Sequence, residues 1–202
     1  ILSEDRKEWC YADMGIQCAG GIASGVYTTD SASQLEYILR DSDSRFLFVE
    51  NDEQLDKFLE IEDQAEQVTK VIIFEQEGLH DLRHEKCVFY DELLETGRAF
   101  ETENRHLFEE EIEKTNPGDT ALLIYTSGTT GMPKGAMLSQ ENVVATMVSG
   151  AHALPTLSND EQLCFLPLCH ILERDVSVYF PLAGKSTVNF AESPETVFDK
   201  QR

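Results

Sequence analysis

The chain has 202 residues, enough for one domain with a hydrophobic core, or for one domain and part of a second. Hydrophobic residues make up 41% and charged residues 27%, a balance that is typical of globular proteins and argues against wholesale disorder. Lysine plus arginine number 16 and aspartate plus glutamate 38, and the net charge of −22 argues against nucleic acid as a partner and against charge-driven docking on anionic lipid.

The sequence predicts a cytoplasmic protein. Its longest apolar runs, such as 121–124, have the length of strands rather than of membrane spans. Residues 1–7 are charged and lack the apolar region of a signal peptide, although residue 1 is Ile, so the natural start can lie upstream. The five cysteines are odd in number and lack C-x-x-C spacing, which is typical of reduced thiols. Peripheral membrane contact of a longer parent protein stays open.

The first elements are a helix and a short strand. A helix is predicted over residues 4–19, and Gly20 and Gly21 end it. A short strand follows and ends at 25–27. The apolar stripe of the helix, at helical spacing, consists of Trp9, Ala12, Ile16 and Ala19.

Strands then alternate with amphipathic helices. The next helix begins at Asp30 or Ser31, and Ser31 with Gln34 has the spacing of a capping box. A further helix begins at Asn51 or Asp52. The buried positions of these two helices are Leu35, Ile38, Leu39, Leu55, Phe58 and Leu59, and the predicted strands are 45–50, 71–74 and 88–90. This alternation is typical of βαβ units and predicts an α/β fold, a layered α/β/α arrangement with a mostly parallel sheet.

An acidic helical region, 91–114, is predicted to expose its charged face to solvent. A turn at 116–119 ends it and precedes an apolar strand over 120–125.

A dense run of glycines, hydroxyl residues and one cation follows that strand. It consists of Gly128, Gly131 and Gly135, the hydroxyl residues Thr126, Ser127, Thr129 and Thr130, and Lys134. Glycine backbone N–H groups, hydroxyls and an ammonium group together suit phosphate oxygens.

This run is not a Walker loop, which needs G-x-x-x-x-G-K-[ST] leading into a helix. Lys134 instead lies between a proline and a glycine, and residues 135–138 have the pattern of a returning strand. The run is therefore predicted to form the tip of a hairpin. The next helix begins at Ser139, and its apolar face consists of Val143, Val144, Met147 and Val148.

Residues 125–136, Y-T-S-G-T-T-G-M-P-K-G-A, resemble the phosphate-loop signature of the adenylate-forming superfamily, which includes acyl-CoA synthetases, luciferases and peptide-synthetase adenylation domains. Residues 165–170, F-L-P-L-C-H, resemble the L-P-x-x-H segment of the same superfamily. The continuation at 171–184 and the stretch 191–196 resemble the long-chain fatty acyl-CoA synthetases in particular. The βα region near Trp9 is similar to that family too, so the resemblance covers nearly the whole chain.

The resemblance implies a reaction in which a long-chain fatty carboxylate attacks the α-phosphorus of ATP, and CoA then displaces AMP from the acyl-adenylate. It implies Mg²⁺ near the Thr126 hydroxyl, and His170 as a catalytic residue beside the acyl carboxylate and the α-phosphate. The β- and γ-phosphates are expected to contact Thr126, Ser127, Gly128, Thr129, Thr130, Gly131 and Lys134.

Other blocks of the family do not occur after His170: the aromatic-Thr-Glu block, the ribose-binding Asp and the C-terminal domain with its catalytic Lys. We therefore interpret residues 1–202 as a partial N-terminal AMP-binding domain, with a βα region at 1–115 and the phosphate-loop hairpin and following units at 116–202. This part alone is expected to make no acyl-CoA. The sequence leaves chain-length preference and oligomeric state open, and two alternatives: an acyl-AMP ligase, or a non-catalytic nucleotide-binding module.

Two weaker patterns are interpreted as structural. His80 and His84 lie four residues apart, but their segment is polar and lacks the H-E-x-x-H pattern, so no zinc site is predicted. Cys164 and Cys169 flank a proline before His170, and are expected to be buried structural thiols.

Overall fold

The computed structural model describes residues 1–126, 132–154 and 157–191. Within these ranges, no helix is long and apolar enough to cross a membrane. The helices are α1 (Lys7–Cys18), α2 (Ala32–Asp41), α3 (Asp52–Ile61), α4 (Tyr90–Glu103), α5 (Leu107–Lys114), α6 (Gln140–Ala153), α7 (Ile171–Arg174) and α8 (Phe180–Gly184). The strands are β1 (Ala23–Ser24), β2 (Phe46–Val49), β3 (Lys70–Ile73), β4 (Cys87–Phe89), β5 (Thr120–Thr126), β6 (Lys134–Ser139), β7 (Glu161–Cys164) and β8 (Thr187–Phe190).

The chain forms two compact units. The first contains Ile1–Ser3, Cys18–Gly20 and Val26–Lys114. The second contains Glu4–Gln17 and Gly21–Gly25 together with the chain from Thr115 onward. Helix α1 therefore belongs mainly to the same unit as the predicted hairpin, although more than 100 residues of sequence separate them.

The first unit is built on a parallel sheet in the order β2-β3-β4. Residues 46–49 pair with residues 70–73 in register, and β3 pairs with β4 on its other side. Leu2, which is fully buried, extends this arrangement through single bridges to Val26 and Val49. The three predicted strands and their alternation with helices are confirmed.

Local capping signals set where the helices of the first unit begin. Ser31 caps α2, and its hydroxyl and the Gln34 side chain form both halves of the predicted capping box. The Asn51 side chain accepts from the Gln54 N–H at the start of α3. The predicted buried face of α3 is wrong at one position, because Leu59 is 38% exposed whereas Ile61 is buried.

The acidic region forms two helices, α4 and α5, rather than one continuous helix. The chain leaves the helical conformation at Asn104, whose side chain donates to the Phe100 carbonyl and so competes with the next helical turn. Neither helix contains a buried residue. The expected solvent exposure of this acidic stretch is confirmed.

The second unit contains a mixed sheet in the order β1-β5-β6 and a separate parallel pair, β7-β8. β1 runs parallel to β5, and β6 returns antiparallel to it. Four of the five strand pairings in the described residues are therefore parallel, which confirms the predicted α/β class, although the strands form three sheets. The strand expected to end at 25–27 is shorter, because β1 ends at Ser24.

A continuous helical segment from α7 to α8 passes through one wide π turn at Asp175–Tyr179. Pro181 follows this turn, and it has no N–H for the usual helical hydrogen bond. The wider spacing accommodates the proline ring without ending the helix.

Helix α6 begins at Ser139, as predicted, with a reciprocal contact to Asn142. Its expected apolar face is wrong, because only Val143 is buried while Val144 and Val148 are about half exposed. The helix instead packs against α8 through Gly150, where an added Cβ would lie 2.1 Å from the Phe180 ring.

Gly25 is a second position of close packing. A Cβ there would lie 2.6 Å from the Cα of Cys169, and that backbone cannot move as a flexible side chain can. We expect Gly25→Ala to lower stability by about 1–3 kcal/mol, measured as a lower Tm and denaturation midpoint. Gly15→Ala is the control, because it lies within α1 and an added Cβ meets no atom within 4 Å. Equal stability of the two variants would contradict this packing.

Candidate functional site

The β5–β6 hairpin forms the base of the candidate site. Thr126 and Lys134 are cross-strand partners at the loop end of this hairpin, so the backbone ends of the intervening loop lie side by side. The predicted hairpin is therefore confirmed, and Thr126 and Lys134 are both exposed at its tip. The remaining predicted phosphate contacts, Ser127, Gly128, Thr129, Thr130 and Gly131, lie outside the described residues.

Burial of β5 anchors the hairpin. Ala121, Leu122 and Ile124 are buried, whereas β6 is largely exposed. Gly135 lies opposite Tyr125 in the register, and a Cβ there would come within 3.1 Å of the Tyr125 ring. The glycine thus leaves room for this ring across the strand pair, next to the base of the loop.

His170 caps the start of α7 and its side chain is exposed, so it is not a core histidine. Its Nδ1 accepts a hydrogen bond from the Leu172 N–H at 3.2 Å. This contact requires an unprotonated Nδ1, so the neutral ring carries its proton on Nε2. Nε2 is therefore a hydrogen-bond donor. His170 belongs to neither strand of the hairpin.

A buried ion pair lies one helical turn after His170. Arg174 and Asp13 are both fully buried, and two nitrogens of the guanidinium contact the two carboxylate oxygens. Tyr179 donates to Asp13 Oδ2 at 3.1 Å, and Gln17 donates to both Asp13 and the Tyr179 hydroxyl. The guanidinium also lies 4.9 Å from the centre of the Trp9 ring, so charge, hydrogen bonds and a cation–π contact meet at one point.

The surroundings of Arg174 favour its charged form. Burial alone would lower the pKa of Arg174, but the charge of Asp13 and its hydrogen bonds outweigh that effect and raise the pKa. Burial raises the pKa of Tyr179, which keeps its phenol protonated as a donor to Asp13. The pair is thus compensated inside the unit, where an isolated charge would be strongly destabilising.

The ion pair between Asp13 and Arg174 was not predicted from the sequence. The stripe predicted for α1 is wrong toward its C-terminal end, because Ala19 is exposed while Asp13 and Gln17 are buried. The available signal was a carboxylate four residues after Trp9, on the same face of the helix as an otherwise apolar stripe.

The two cysteines near His170 are structural. Cys164 and Cys169 are both buried free thiols, as expected. Burial, together with the nearby charges of Asp5 and Glu173, raises the pKa of Cys164 well above its usual value. A thiol held protonated in this way is a poor nucleophile.

Asp5 contacts the segment that leads to His170. Its Oδ1 accepts from the Leu168 N–H at 2.8 Å. Burial first, and then repulsion from Glu173, raise the pKa of Asp5 from 3.8 to about 6, against the opposing effect of the Leu168 hydrogen bond. The folded state therefore binds this proton more tightly than the unfolded chain does.

A pH dependence of stability follows. The contribution of Asp5 is fully present below its unfolded pKa of 3.8 and is lost as the pH rises through about 6. The difference in Tm between the native protein and Asp5→Asn should thus shift in favour of the variant between pH 4 and pH 6, and level off above that. A difference that is constant with pH, or that runs in the other direction, would contradict the assignment.

Comparisons with known proteins agree with the fold. The sequence profile of AMP-binding enzymes matches residues 1–202. The long-chain-fatty-acid–CoA ligase ACSBG2 of Homo sapiens is 33% identical over 196 residues, which cover 96% of this chain and 28% of that protein. The chain thus spans little more than a quarter of the length of this curated relative.

Two solved structures share the fold. The anthranilate CoA ligase AuaEII in complex with anthranoyl-AMP superposes with a TM-score of 0.75 at 21% identity, over 98% of this chain and 36% of that one. ATP-bound MatB from Rhodopseudomonas palustris gives a TM-score of 0.69 at 18% identity, again over 98% and 36%. With the profile match over its whole length, this chain belongs to the AMP-binding enzyme family.

Proposed function

We propose that the chain is part of an ATP-dependent, AMP-forming long-chain fatty acid–CoA ligase. The observation that carries this proposal is the β5–β6 hairpin, which holds Thr126 and Lys134 side by side at the ends of a loop rich in glycine and hydroxyl residues. The choice of a long-chain fatty acid and CoA rests on the similarity to human ACSBG2.

The reaction has two steps. A carboxylate oxygen of the fatty acid attacks the α-phosphorus of ATP, and the bond from that phosphorus to the pyrophosphate oxygen breaks. The CoA thiolate then attacks the acyl carbon, and AMP leaves with the carboxylate oxygen that made the first bond. Phosphoryl transfer of this kind depends mainly on positioning and on stabilising charge, which a loop of fixed donors supplies.

The loop contributes donors to the triphosphate. Gly128 and Gly131 have no side chain to block the approach of a phosphate to their backbone N–H groups, and the hydroxyl groups of the same loop are further donors to phosphate oxygens. Lys134 adds a charge-assisted contact to the β- or γ-phosphate.

His170 acts where the acyl carboxylate meets the α-phosphate. The Nδ1 contact to Leu172 leaves the proton on Nε2, and this Nε2–H donates to an oxygen on which negative charge develops.

Mg²⁺ fits this site as an ion that arrives with the triphosphate. The described residues contain no group of three His, Cys, Asp or Glu side chains that could hold a metal. Thr126 offers one hydroxyl at the end of β5, and Mg²⁺ commonly combines few protein ligands with phosphate oxygens and water. Mg²⁺ in this position neutralises phosphate charge.

We assign residues 1–202 to the N-terminal AMP-binding domain of the complete protein, with the βα region at 1–115 and the hairpin and following units at 116–202. Adenine, ribose and catalytic lysine contacts then come from other parts of that protein. We place the enzyme in the cytoplasm, where peripheral contact of the complete protein with a membrane stays open.

The experiment supplies the complete protein with ATP, Mg²⁺, CoA and fatty acids of several chain lengths, and follows AMP, pyrophosphate and acyl-CoA. The proposal predicts equal amounts of AMP and acyl-CoA, with preference for long chains. An acyl-adenylate without a CoA thioester would favour an acyl-AMP ligase. ATP binding without pyrophosphate release would contradict the ligase function and favour a nucleotide-binding module.

A further inference from the structure

Two carboxylates hold the segment that precedes His170. Near one end of this segment, Glu173 Oε1 accepts from the Phe165 N–H at 3.2 Å and from the Ser177 hydroxyl at 2.8 Å. Closer to His170, Asp5 Oδ1 accepts from the Leu168 N–H at 2.8 Å. Glu173 lies in α7, whereas Asp5 is 163 residues from its partner in sequence. The two carboxylates therefore reach the segment from two distant parts of the chain.

The same segment fixes His170 itself. The His170 N–H donates to the Pro167 carbonyl at 2.9 Å, and the Arg174 N–H donates to the His170 carbonyl at 3.2 Å. The Nδ1 contact to Leu172 sets the rotation of the ring. Leu168 lies within the turn that the Pro167–His170 hydrogen bond closes, and Phe165 is bonded to Glu173 in the helix that follows His170. A shift of either contact is therefore expected to move the imidazole.

Carboxylates are an unusual way to fix the position of a backbone segment such as the one before His170. Glu173 is 4% exposed, and in the described part of the chain neither Glu173 nor Asp5 has a lysine or arginine partner within 4 Å. Burying a carboxylate without a cation is destabilising. Apolar packing would hold the segment with less destabilisation, but a hydrogen bond to a backbone N–H fixes its position in a defined direction.

We propose that Asp5 and Glu173 are positioning residues for His170, which set the place of its imidazole for transfer of the adenylyl group. This inference rests on the function proposed above. Neither residue is proposed to touch the substrates. A displacement of a reacting group by about 1 Å is enough to reduce a rate by about 100-fold, so loss of either contact should affect catalysis more than binding.

The test uses matched variants of the complete protein in fatty-acid-dependent ATP–pyrophosphate exchange. Glu173→Ala and Asp5→Ala remove the acceptor oxygen, whereas Glu173→Gln and Asp5→Asn keep one. We expect both alanine variants to lower kcat by about tenfold or more while the KM for ATP changes little. The amide variants should recover most of the rate. Asp160→Ala is the control, because that carboxylate accepts the Leu157 N–H at 2.7 Å in a turn apart from this segment.

A double-mutant cycle separates positioning from loss of folding. If Glu173 acts through His170, Glu173→Ala should lower exchange little further in a His170→Ala protein. Independent, multiplicative effects would overturn the inference, as would an amide variant as impaired as its alanine counterpart. If His170→Ala alone leaves exchange unchanged, the role proposed for His170 fails and the positioning inference fails with it.

Amide hydrogen exchange over residues 164–172 gives a readout that does not depend on activity. Faster exchange in this segment is expected for both alanine variants, with protection restored in the amide variants. Unchanged exchange would overturn the inference even if activity falls. A complete protein without any ATP–pyrophosphate exchange would overturn the proposed function, and the hydrogen-exchange result would then decide separately whether the two carboxylates hold the segment.

Discussion

Lys134→Ala in the complete protein is expected to lower kcat/KM for ATP in ATP–pyrophosphate exchange by about 10- to 100-fold. A hydrogen bond to a charged group contributes about 1.5–3 kcal/mol, and this variant removes such a contact from the triphosphate. The fatty acid does not contact this lysine in the proposed arrangement, so its binding should change little. The exposed position of Lys134 beside Thr126 makes a large loss of stability unexpected.

Lys185→Ala is the matched control, because Lys185 is another exposed lysine of the same unit and lies outside the hairpin. A second variant, Gly131→Val, tests the loop backbone, since a β-branched side chain would block the approach of phosphate oxygens. Exchange at native rates in both Lys134→Ala and Gly131→Val would refute the role assigned to the loop.

Asp13→Ala is expected to have the largest effect on stability, a loss of about 3–5 kcal/mol. The substitution leaves the fully buried Arg174 without its carboxylate, and the Tyr179 hydroxyl loses its acceptor. Chemical denaturation of the complete protein measures this loss as a lower midpoint with an unchanged slope.

The double variant Asp13→Ala/Arg174→Met distinguishes two causes of the stability loss in Asp13→Ala, namely the unpaired charge of Arg174 and the lost side-chain volume. Because it removes both charges, it should recover a substantial part of the stability lost in Asp13→Ala. A single variant as stable as the native protein would show that the ion pair contributes nothing. A double variant less stable than the single one would contradict the explanation that the unpaired charge of Arg174 causes the loss of stability.

Local signals predicted the elements of the fold well. The Ser31 capping box, the cap at Asn51 and the hairpin that returns through Gly135 all depend on residues within a few positions of one another. Such patterns determine backbone hydrogen bonds directly, so they can be recognised without knowledge of the tertiary structure.

Long-range contacts were the part that could not be predicted. Arg174 lies 161 residues from Asp13, so the sequence around either residue does not identify the other as its partner. The predicted face of α6 was wrong for a similar reason. Hydrophobic periodicity shows which residues are apolar, but the packing of Gly150 against Phe180 decides which side of the helix is covered.

The candidate site likewise has parts that the local sequence predicts and parts that depend on long-range contacts. The loop between β5 and β6 was predicted from its own residues, because phosphate binding depends on adjacent backbone N–H groups. His170 was identified through the L-P-x-x-H resemblance, but its position as the cap of a four-residue helix gave no periodic signal. The contact from Asp5 comes from the other end of the chain and needed the structure.

Isotope transfer tests the central claim most directly, namely that this protein activates a carboxylate at the α-phosphorus of ATP. The complete protein is given ATP, Mg²⁺, CoA and a long-chain fatty acid labelled with ¹⁸O in both carboxylate oxygens, and the AMP is analysed by mass spectrometry. Our account predicts one ¹⁸O atom in each AMP phosphate, because the attacking oxygen leaves with AMP. AMP without the label, or ADP with labelled inorganic phosphate, would contradict it.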